Sequence, residues 1–201
     1  MNKKVFSYGN TKLPKTTGIF NLCPQKDCPS NKLGLCDISN KCYAKKAERL
    51  YPQVLPFRNR QKRFWLKIRS LYLKNEQKAI DTFLNRFYTD TPTKKLRYQL
   101  KALRFNESGD FSDQLDISIM ESIAKELAYS DKKTYTYTHR IDLDFSKCKY
   151  LTVSGSGFMV HNEFNTVPKK SQLKGIYCPM DCKKCSLCLK PDHKTILCRL
   201  H

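Results

Sequence analysis

Apolar residues recur at helical spacing in three stretches of the first half of the chain. The clearest stretch covers residues 57–73, where the apolar positions fall on one face at intervals of three, four and seven. Similar patterns span residues 43–50 and 76–88. Pro52 and Pro56 stand between the first two stretches, so we predict three helices with a break at these prolines.

The second half of the chain changes to strand and helix patterns in alternation. Residues 103–107, 134–138, 150–154 and 158–167 read as strands, and residues 113–129 form an amphipathic helix pattern. Strands that alternate with helices are typical of a parallel sheet with crossover connections. We therefore predict an α/β fold, a single domain with a mostly parallel sheet or a partial (β/α) barrel.

Polar residues follow three of these strands. The segments are Ser108–Asp110, His139–Arg140 and Ser154–Gly157. Ligands of parallel sheets gather at the carboxyl ends of the strands, so these segments are expected to share one site. Asp110, His139 and Ser154 are the candidates for catalytic roles, although a lone histidine also suits a purely structural role.

The 201-residue chain divides into three parts within this one domain. Residues 1–42 form an arm and a cysteine loop, residues 43–170 the α/β core, and residues 171–201 a second cysteine segment. The loop of residues 23–42 has few apolar side chains to bury. A bound metal is expected to order it, contributing on the order of 10 kcal/mol if it resembles a structural zinc site.

The cysteines of the C-terminal segment give the strongest chemical signal. Four of them fall within eleven residues, separated by three, two and two residues: Cys178, Cys182, Cys185 and Cys188. This spacing is similar to that of ferredoxin cluster loops and predicts an iron–sulfur centre of the 4Fe-4S type. Zinc is the alternative, but its usual C-x2-C knuckles are separate, whereas here the two gaps share Cys185.

A second group of cysteines lies in the N-terminal loop, with wider and less regular gaps. Its members are Cys23, Cys28, Cys36 and Cys42. They either hold a second metal centre alone or lend one ligand to the C-terminal group. Cys148 stands apart and is expected to be an ordinary thiol.

The chain has no stretch approaching the ~20 apolar residues of a membrane span, and its start lacks the apolar region of a secretory signal. These features predict a cytoplasmic protein without membrane association. Reducing conditions there favour metal-bound thiolates over disulfides for ten cysteines.

The net charge of +20 is concentrated in the first third of the chain. Residues 1–75 carry 17 Lys and Arg against 3 Asp and Glu, a net charge of +14. Such a surface suits a polyanion, and nucleic acid is the predicted partner; a merely soluble basic protein is the alternative. The residues expected to bind phosphates lie on one helix face: Arg58, Arg60, Arg63, Lys67 and Lys74. Trp65 is expected in the core.

Several short motifs, in order, resemble a known family. They are Gly9–Leu13, Cys23-Pro24, Cys42–Ala44, Ser108–Phe111, Tyr137-Thr138, Ser154–Gly157 and Cys178-Pro179. Together they are similar to the "gene product eighty-eight" family of phages and plasmids. The resemblance implies a protein of a mobile element and adds little about its chemistry.

A more distant resemblance is to the radical S-adenosylmethionine enzymes, whose partial barrel carries a three-cysteine loop after its first strand. Cys42-Tyr43 corresponds to the end of that loop. The resemblance implies that Gly109 and Asp110 hold the methionyl end of the cofactor, with Ser154 and Ser156 near its ribose. The N-terminal spacings depart from C-x3-C-x2-C, and a cluster with four protein thiolates has no open iron for this cofactor.

Three functions follow from these observations. The favoured one is an iron–sulfur protein that binds nucleic acid through its basic helix. A radical S-adenosylmethionine-like enzyme and a zinc-stapled, non-enzymatic adaptor are the alternatives. An iron–sulfur nuclease would need a compact acidic site, but Asp113, Asp116 and Glu121 fit a solvated helix face instead.

Overall fold

Eight strands form one sheet in the computed structural model, which describes residues 3–168 and 173–199. The strand order is β1-β2-β3-β4-β5-β6-β8-β7, and all neighbouring pairs except β1 with β2 are parallel. The strands are β1 Ser7–Tyr8, β2 Thr17–Phe20, β3 Ala102–Phe105, β4 Lys133–Thr138, β5 Leu151–Ser156, β6 Asn162–Val167, β7 Ile176–Tyr177 and β8 Thr195–Arg199. The predicted α/β class with a mostly parallel sheet is confirmed.

Six α-helices lie in the described residues. They are α1 Pro29–Lys32, α2 Tyr43–Leu50, α3 Val54–Tyr72, α4 Glu76–Thr89, α5 Lys94–Gln99 and α6 Gln114–Ala128. Helix α6 packs against β4 and β5 of the sheet. An aromatic cluster joins α3 and α4 to the sheet, with the Phe83 ring centroid 5.2 Å from that of Phe20 and 5.8 Å from that of Phe105. Trp65 packs into the same cluster and is buried, as predicted.

Most predicted elements match the structure within a few residues. The predicted helix break at Pro56 was wrong. Helix α3 begins at Val54, so Pro56 lies in its first turn. A proline is tolerated there because the first amide groups of a helix have no intrahelical partner. The sequence patterns missed α5, β7 and β8, and the predicted boundary at residues 170 and 171 lies outside the described residues.

The C-terminal segment folds back over the sheet. Between β7 and β8, at one edge of the sheet, its 3-10 turn Leu187–Leu189 packs against β4 and β5. Among the described residues, no helix combines the length and the apolar character needed to span a bilayer.

Candidate metal centres and basic surface

Strand β2 delivers the chain directly to Cys23 at the carboxyl edge of the sheet. Cys23 is buried and lies against the turn after β3, where the Ser108 hydroxyl donates to the Cys23 carbonyl at 3.0 Å. A methyl group on Gly109 would stand 2.6 Å from the Cys23 sulfur. Gly109 also has a φ of +79°, so both its conformation and its close approach require glycine.

The other N-terminal cysteines follow Cys23 as a chain of neighbours. Electrostatic coupling joins Cys23 to Cys28, Cys28 to Cys36, and Cys36 to Cys42. Burial raises the pKa of Cys23 and of Cys28 to about 12, and it also raises that of Cys36. These thiols therefore stay protonated until a cation compensates the thiolate charge. Each thiol of this loop thus lies near enough to the next to influence a pKa.

Asp110 joins this loop to two strand ends. Its carboxylate oxygens accept hydrogen bonds from the Ser30 and Thr138 hydroxyls at 2.5 and 2.7 Å, and from the amides of His139 and Phe111 at 2.9 and 2.8 Å. Burial raises its pKa, and these four donors oppose that rise. Both oxygens are thus engaged within the fold, which gives Asp110 a positioning role for the cysteine loop.

His139 lies beside the same loop. Its Nε2 atom is 3.9 Å from the Cys36 sulfur and 3.4 Å from an Asp37 carboxylate oxygen. Within the described residues, these three side chains are the one group of three or more potential metal ligands that fall within 4.8 Å of one another. His139 is therefore a candidate additional ligand of the N-terminal group.

Ser154, on β5, is almost fully buried, and its hydroxyl has no hydrogen-bond partner in the described part of the chain. Asn106, directly after β3, is also buried, has a φ of +57°, and finds no partner there for its side-chain amide. Ser156 ends β5 and is half-buried. These polar groups lie at the predicted edge of the sheet, but no contact places them against the cysteines.

The C-terminal cysteines form a second group that also includes Cys198. The Cys178 amide donates to the Leu197 carbonyl at 2.8 Å, which sets Cys178 beside Cys198. The neighbouring Cys198 thiol lowers the pKa of Cys178. The thiols of Cys178, Cys182 and Cys185 each raise the pKa of Cys188. No sequence signal identified Cys198.

Two side chains of the sheet influence the pKa values of this second group. Burial raises the pKa of Cys188 to about 11, and Tyr137 opposes that rise. The Arg104 guanidinium stacks over the Tyr137 ring at 5.1 Å and lowers the pKa of Cys182, although burial and Cys178 raise it overall. Sequence reasoning singled out neither residue for the metal.

In residues 3–168 and 173–199, no three cysteine sulfurs lie within 4.8 Å of one another. Cys148 belongs to neither group; it is buried, as expected of an ordinary thiol.

Some basic residues of helix α3 form ion pairs inside the protein, and others are exposed. Arg58, predicted to bind phosphate, belongs to the first kind. Arg58 is buried, donates to the Ala44 carbonyl and pairs with Glu48 at 2.8 Å, so it is not available to phosphate. Arg69 pairs with Asp113 and Asp116. Asp116 is fully buried and accepts a hydrogen bond from the Trp65 indole at 2.7 Å, which corrects its predicted solvated position.

The remaining predicted residues lie on the outer flank of α3, except Lys74, which follows the end of the helix. Arg63, Lys67 and Lys74 are exposed and form no ion pair with the described residues. Arg60 is half-buried, with its guanidinium 5.3 Å from the Phe57 ring centroid. These four residues, Arg60, Arg63, Lys67 and Lys74, are called the α3 basic surface below.

Comparison with models of protein families shows which family the chain belongs to. The family model of gene product 88 matches residues 2–167. The chain belongs to the gene product 88 family. The match includes the N-terminal cysteine loop, α3 and the strand ends, whereas the five C-terminal cysteines lie beyond it. The predicted membership of this phage and plasmid family is confirmed.

Outside that family the comparisons identify no relative. No curated protein and no solved structure matched the chain. The resemblance to radical S-adenosylmethionine enzymes thus gains no support from similarity. The chemistry of this gene product 88 protein must be argued from its own residues.

Proposed function

We propose that this protein is an iron–sulfur protein of a mobile element, with two cysteine-bound centres and a basic helix that binds nucleic acid. The observation that carries the proposal is the distribution of nine of the ten cysteines between two groups, one in the loop after β2 and one in the C-terminal segment. The gaps of three, two and two residues from Cys178 to Cys188 suit a 4Fe-4S cluster loop.

The environment of the N-terminal thiols supports a cationic ligand. Thiols with a pKa of about 12 are neutral in the folded protein, so Cys23 and Cys28 are poor nucleophiles. Metal binding accounts better than nucleophilic catalysis for four cysteines in this loop. A metal deprotonates coordinating thiols outright and compensates their charge. It would also order a loop that contributes few apolar side chains to the core.

The test is anaerobic purification followed by iron, sulfide and zinc analysis and an ultraviolet-visible spectrum. We expect iron and acid-labile sulfide in equal amounts, with thiolate-to-iron charge-transfer absorption. Cys185→Ala should remove a large part of the iron, whereas Cys148→Ala, which changes a buried thiol outside both groups, should keep it. Stoichiometric zinc without sulfide would favour the zinc-stapled adaptor instead.

The α3 basic surface supports the nucleic-acid part of the proposal. Within residues 3–168 and 173–199 its exposed side chains pair with no carboxylate, so they can displace counterions from phosphates. The inner flank of α3 holds the N-terminal loop through Lys62, whose ammonium pairs with Asp27 at 2.8 Å. One helix thereby joins a metal centre to a phosphate-binding surface.

A second candidate is a radical S-adenosylmethionine-like enzyme. The observation in its favour is topological: the first cysteine loop follows β2, and the Ser108–Asp110 turn follows the adjacent parallel strand β3. However, both carboxylate oxygens of Asp110 already accept hydrogen bonds from other residues of the protein. Cleavage of S-adenosylmethionine by the reduced protein, abolished in Cys42→Ala, would favour this candidate; we expect none.

A further inference from the structure

Three side chains of different chemistry converge beside the N-terminal cysteine loop. The Nε2 atom of His139, which follows β4, lies 3.9 Å from the Cys36 sulfur and 3.4 Å from an Asp37 carboxylate oxygen. The sulfur and a carboxylate oxygen also lie within 4.8 Å of each other. The donor atoms of an imidazole, a thiol and a carboxylate therefore meet at one point.

The spacing of these donor atoms suits one metal ion. A tetrahedral ion with bonds of about 2.1 Å to nitrogen and oxygen and about 2.3 Å to sulfur holds its nitrogen and oxygen ligands about 3.4 Å apart. It holds its nitrogen and sulfur ligands about 3.6 Å apart. The observed separations are 3.4 Å and 3.9 Å, so a small movement of the Cys36 sulfur places all three atoms around one ion.

The fold fixes both sides of this group through Asp110. The His139 amide and the Ser30 hydroxyl donate to the same Asp110 carboxylate oxygen, at 2.9 and 2.5 Å. The Ser30 carbonyl in turn accepts a hydrogen bond of 2.9 Å from the amide of Leu35, the residue before Cys36. The strand end and the cysteine loop are thus tied to one buried carboxylate, and outer hydrogen bonds of this kind orient metal ligands.

An ion pair alone accounts less well for the group. The Asp37 side chain is 85% exposed, whereas that of His139 is 19% exposed. A pair that includes so exposed a carboxylate contributes at most about 1 kcal/mol, and it gives the Cys36 thiol no part. Imidazole, thiolate and carboxylate are all ligands of divalent ions such as iron(II) and zinc, so metal binding uses all three side chains.

We infer that His139 and Asp37 join Cys36 as ligands of one iron of the N-terminal centre, the metal site of the loop from Cys23 to Cys42. This inference specifies the ligands of that centre and rests on the proposed iron–sulfur function. The N-terminal centre is then a mixed site of sulfur, nitrogen and oxygen donors, unlike the thiolate set of the C-terminal segment. Since Asp37 is exposed, this iron lies on the solvent side of the centre.

The experiment is X-ray absorption spectroscopy at the iron edge of the anaerobically purified Cys185→Ala protein, in which the C-terminal centre is disabled. We expect nitrogen or oxygen neighbours beside sulfur, and the multiple-scattering pattern of an imidazole ligand. His139→Ala in this background should remove the imidazole pattern and weaken iron retention against a chelator by at least about tenfold. His193→Ala, which removes an exposed histidine of the C-terminal segment, should change neither.

Asp37 provides a second test on an exposed side chain, whose replacement leaves the core intact. Asp37→Ala should lower the number of nitrogen and oxygen neighbours and speed the loss of iron to the chelator, by less than His139→Ala. Asp81→Ala removes an exposed aspartate of α4 and should behave like the parent protein. If His139→Ala does not fold, Asp37→Ala decides: faster loss supports the inference, and an unchanged rate overturns it.

The remaining outcomes separate the inference from the proposed function. An all-sulfur shell, or an imidazole pattern that persists in His139→Ala, would overturn the inference and leave the proposed function standing. A wild-type protein with zinc and no sulfide would refute the proposed function; an imidazole pattern at the zinc edge that His139→Ala removes would then still support the ligand set. Absence of metal from the Cys185→Ala protein would refute the N-terminal centre and the inference together.

Discussion

Cys178 and Cys198 lie side by side at the end of the short β7–β8 ladder, twenty residues apart in sequence. The Cys178 amide donates to the Leu197 carbonyl at 2.8 Å, and the Cys198 thiol lowers the pKa of Cys178. Since β8 is a strand of the main sheet, Cys198 is the C-terminal thiol whose backbone is held by strand pairing. The other four sit before or within a loop.

This relationship makes Cys198 a metal ligand in our first prediction. We expect Cys198→Ser to remove about half or more of the iron bound at the C-terminal centre, because a ligand fixed by a strand cannot be replaced by a loop thiol without moving the segment. Iron per chain and visible absorption measure the loss. Cys148→Ser should leave both unchanged. Full iron in Cys198→Ser would show that the four cysteines from Cys178 to Cys188 suffice.

The second prediction concerns the contact between Gly109 and Cys23. Gly109→Ala should reduce iron at the N-terminal centre, because the new methyl group would stand 2.6 Å from the Cys23 sulfur. Gly157→Ala is the control: its φ of +82° imposes a similar backbone penalty of about 1–2 kcal/mol, but nothing lies within 4 Å of the added methyl group. Equal iron contents in the two variants would contradict a metal-bound Cys23.

The third prediction separates the two flanks of α3. Arg69→Met should lower the free energy of unfolding by about 3–5 kcal/mol, because it leaves the fully buried carboxylate of Asp116 without its cation. Lys67→Met, on the exposed flank, should change it by no more than about 0.5 kcal/mol. Anaerobic urea unfolding, followed by the fluorescence of Trp65, measures both. A Lys67 effect as large as that of Arg69 would refute the division of the helix.

The fourth prediction concerns nucleic acid. Binding should weaken steeply with salt, and replacing Arg63, Lys67 and Lys74 with Ala should flatten the log–log slope by up to ~0.9 per lost duplex phosphate contact, or ~0.7 for a single strand. The control variant replaces Lys94, Lys95 and Lys101, three exposed lysines in and after α5, and removes the same charge. Equal slopes for the two variants would indicate a diffuse charge effect and a binding surface other than α3.

Arg58 shows where sequence reasoning about this surface failed. The periodicity of α3 correctly separated an apolar face from a basic one, but it grouped Arg58 with Arg63 and Lys67. Helix α2 packs beside α3 and brings the Glu48 carboxylate and the Ala44 carbonyl to the Arg58 guanidinium. A one-dimensional pattern reports the direction of a side chain around its own helix and carries no information about the neighbouring helix.

The sequence by itself determined the class of fold, most of the helix and strand order and the two cysteine segments. These features depend on local periodicity and on spacings within a loop, which the order of residues contains directly. Only the tertiary structure decided that Cys198 lies beside Cys178, that Glu48 pairs with Arg58, and that Gly109 lies against Cys23. Each of these contacts exists because strand pairing and helix packing bring separate segments of the chain to one place.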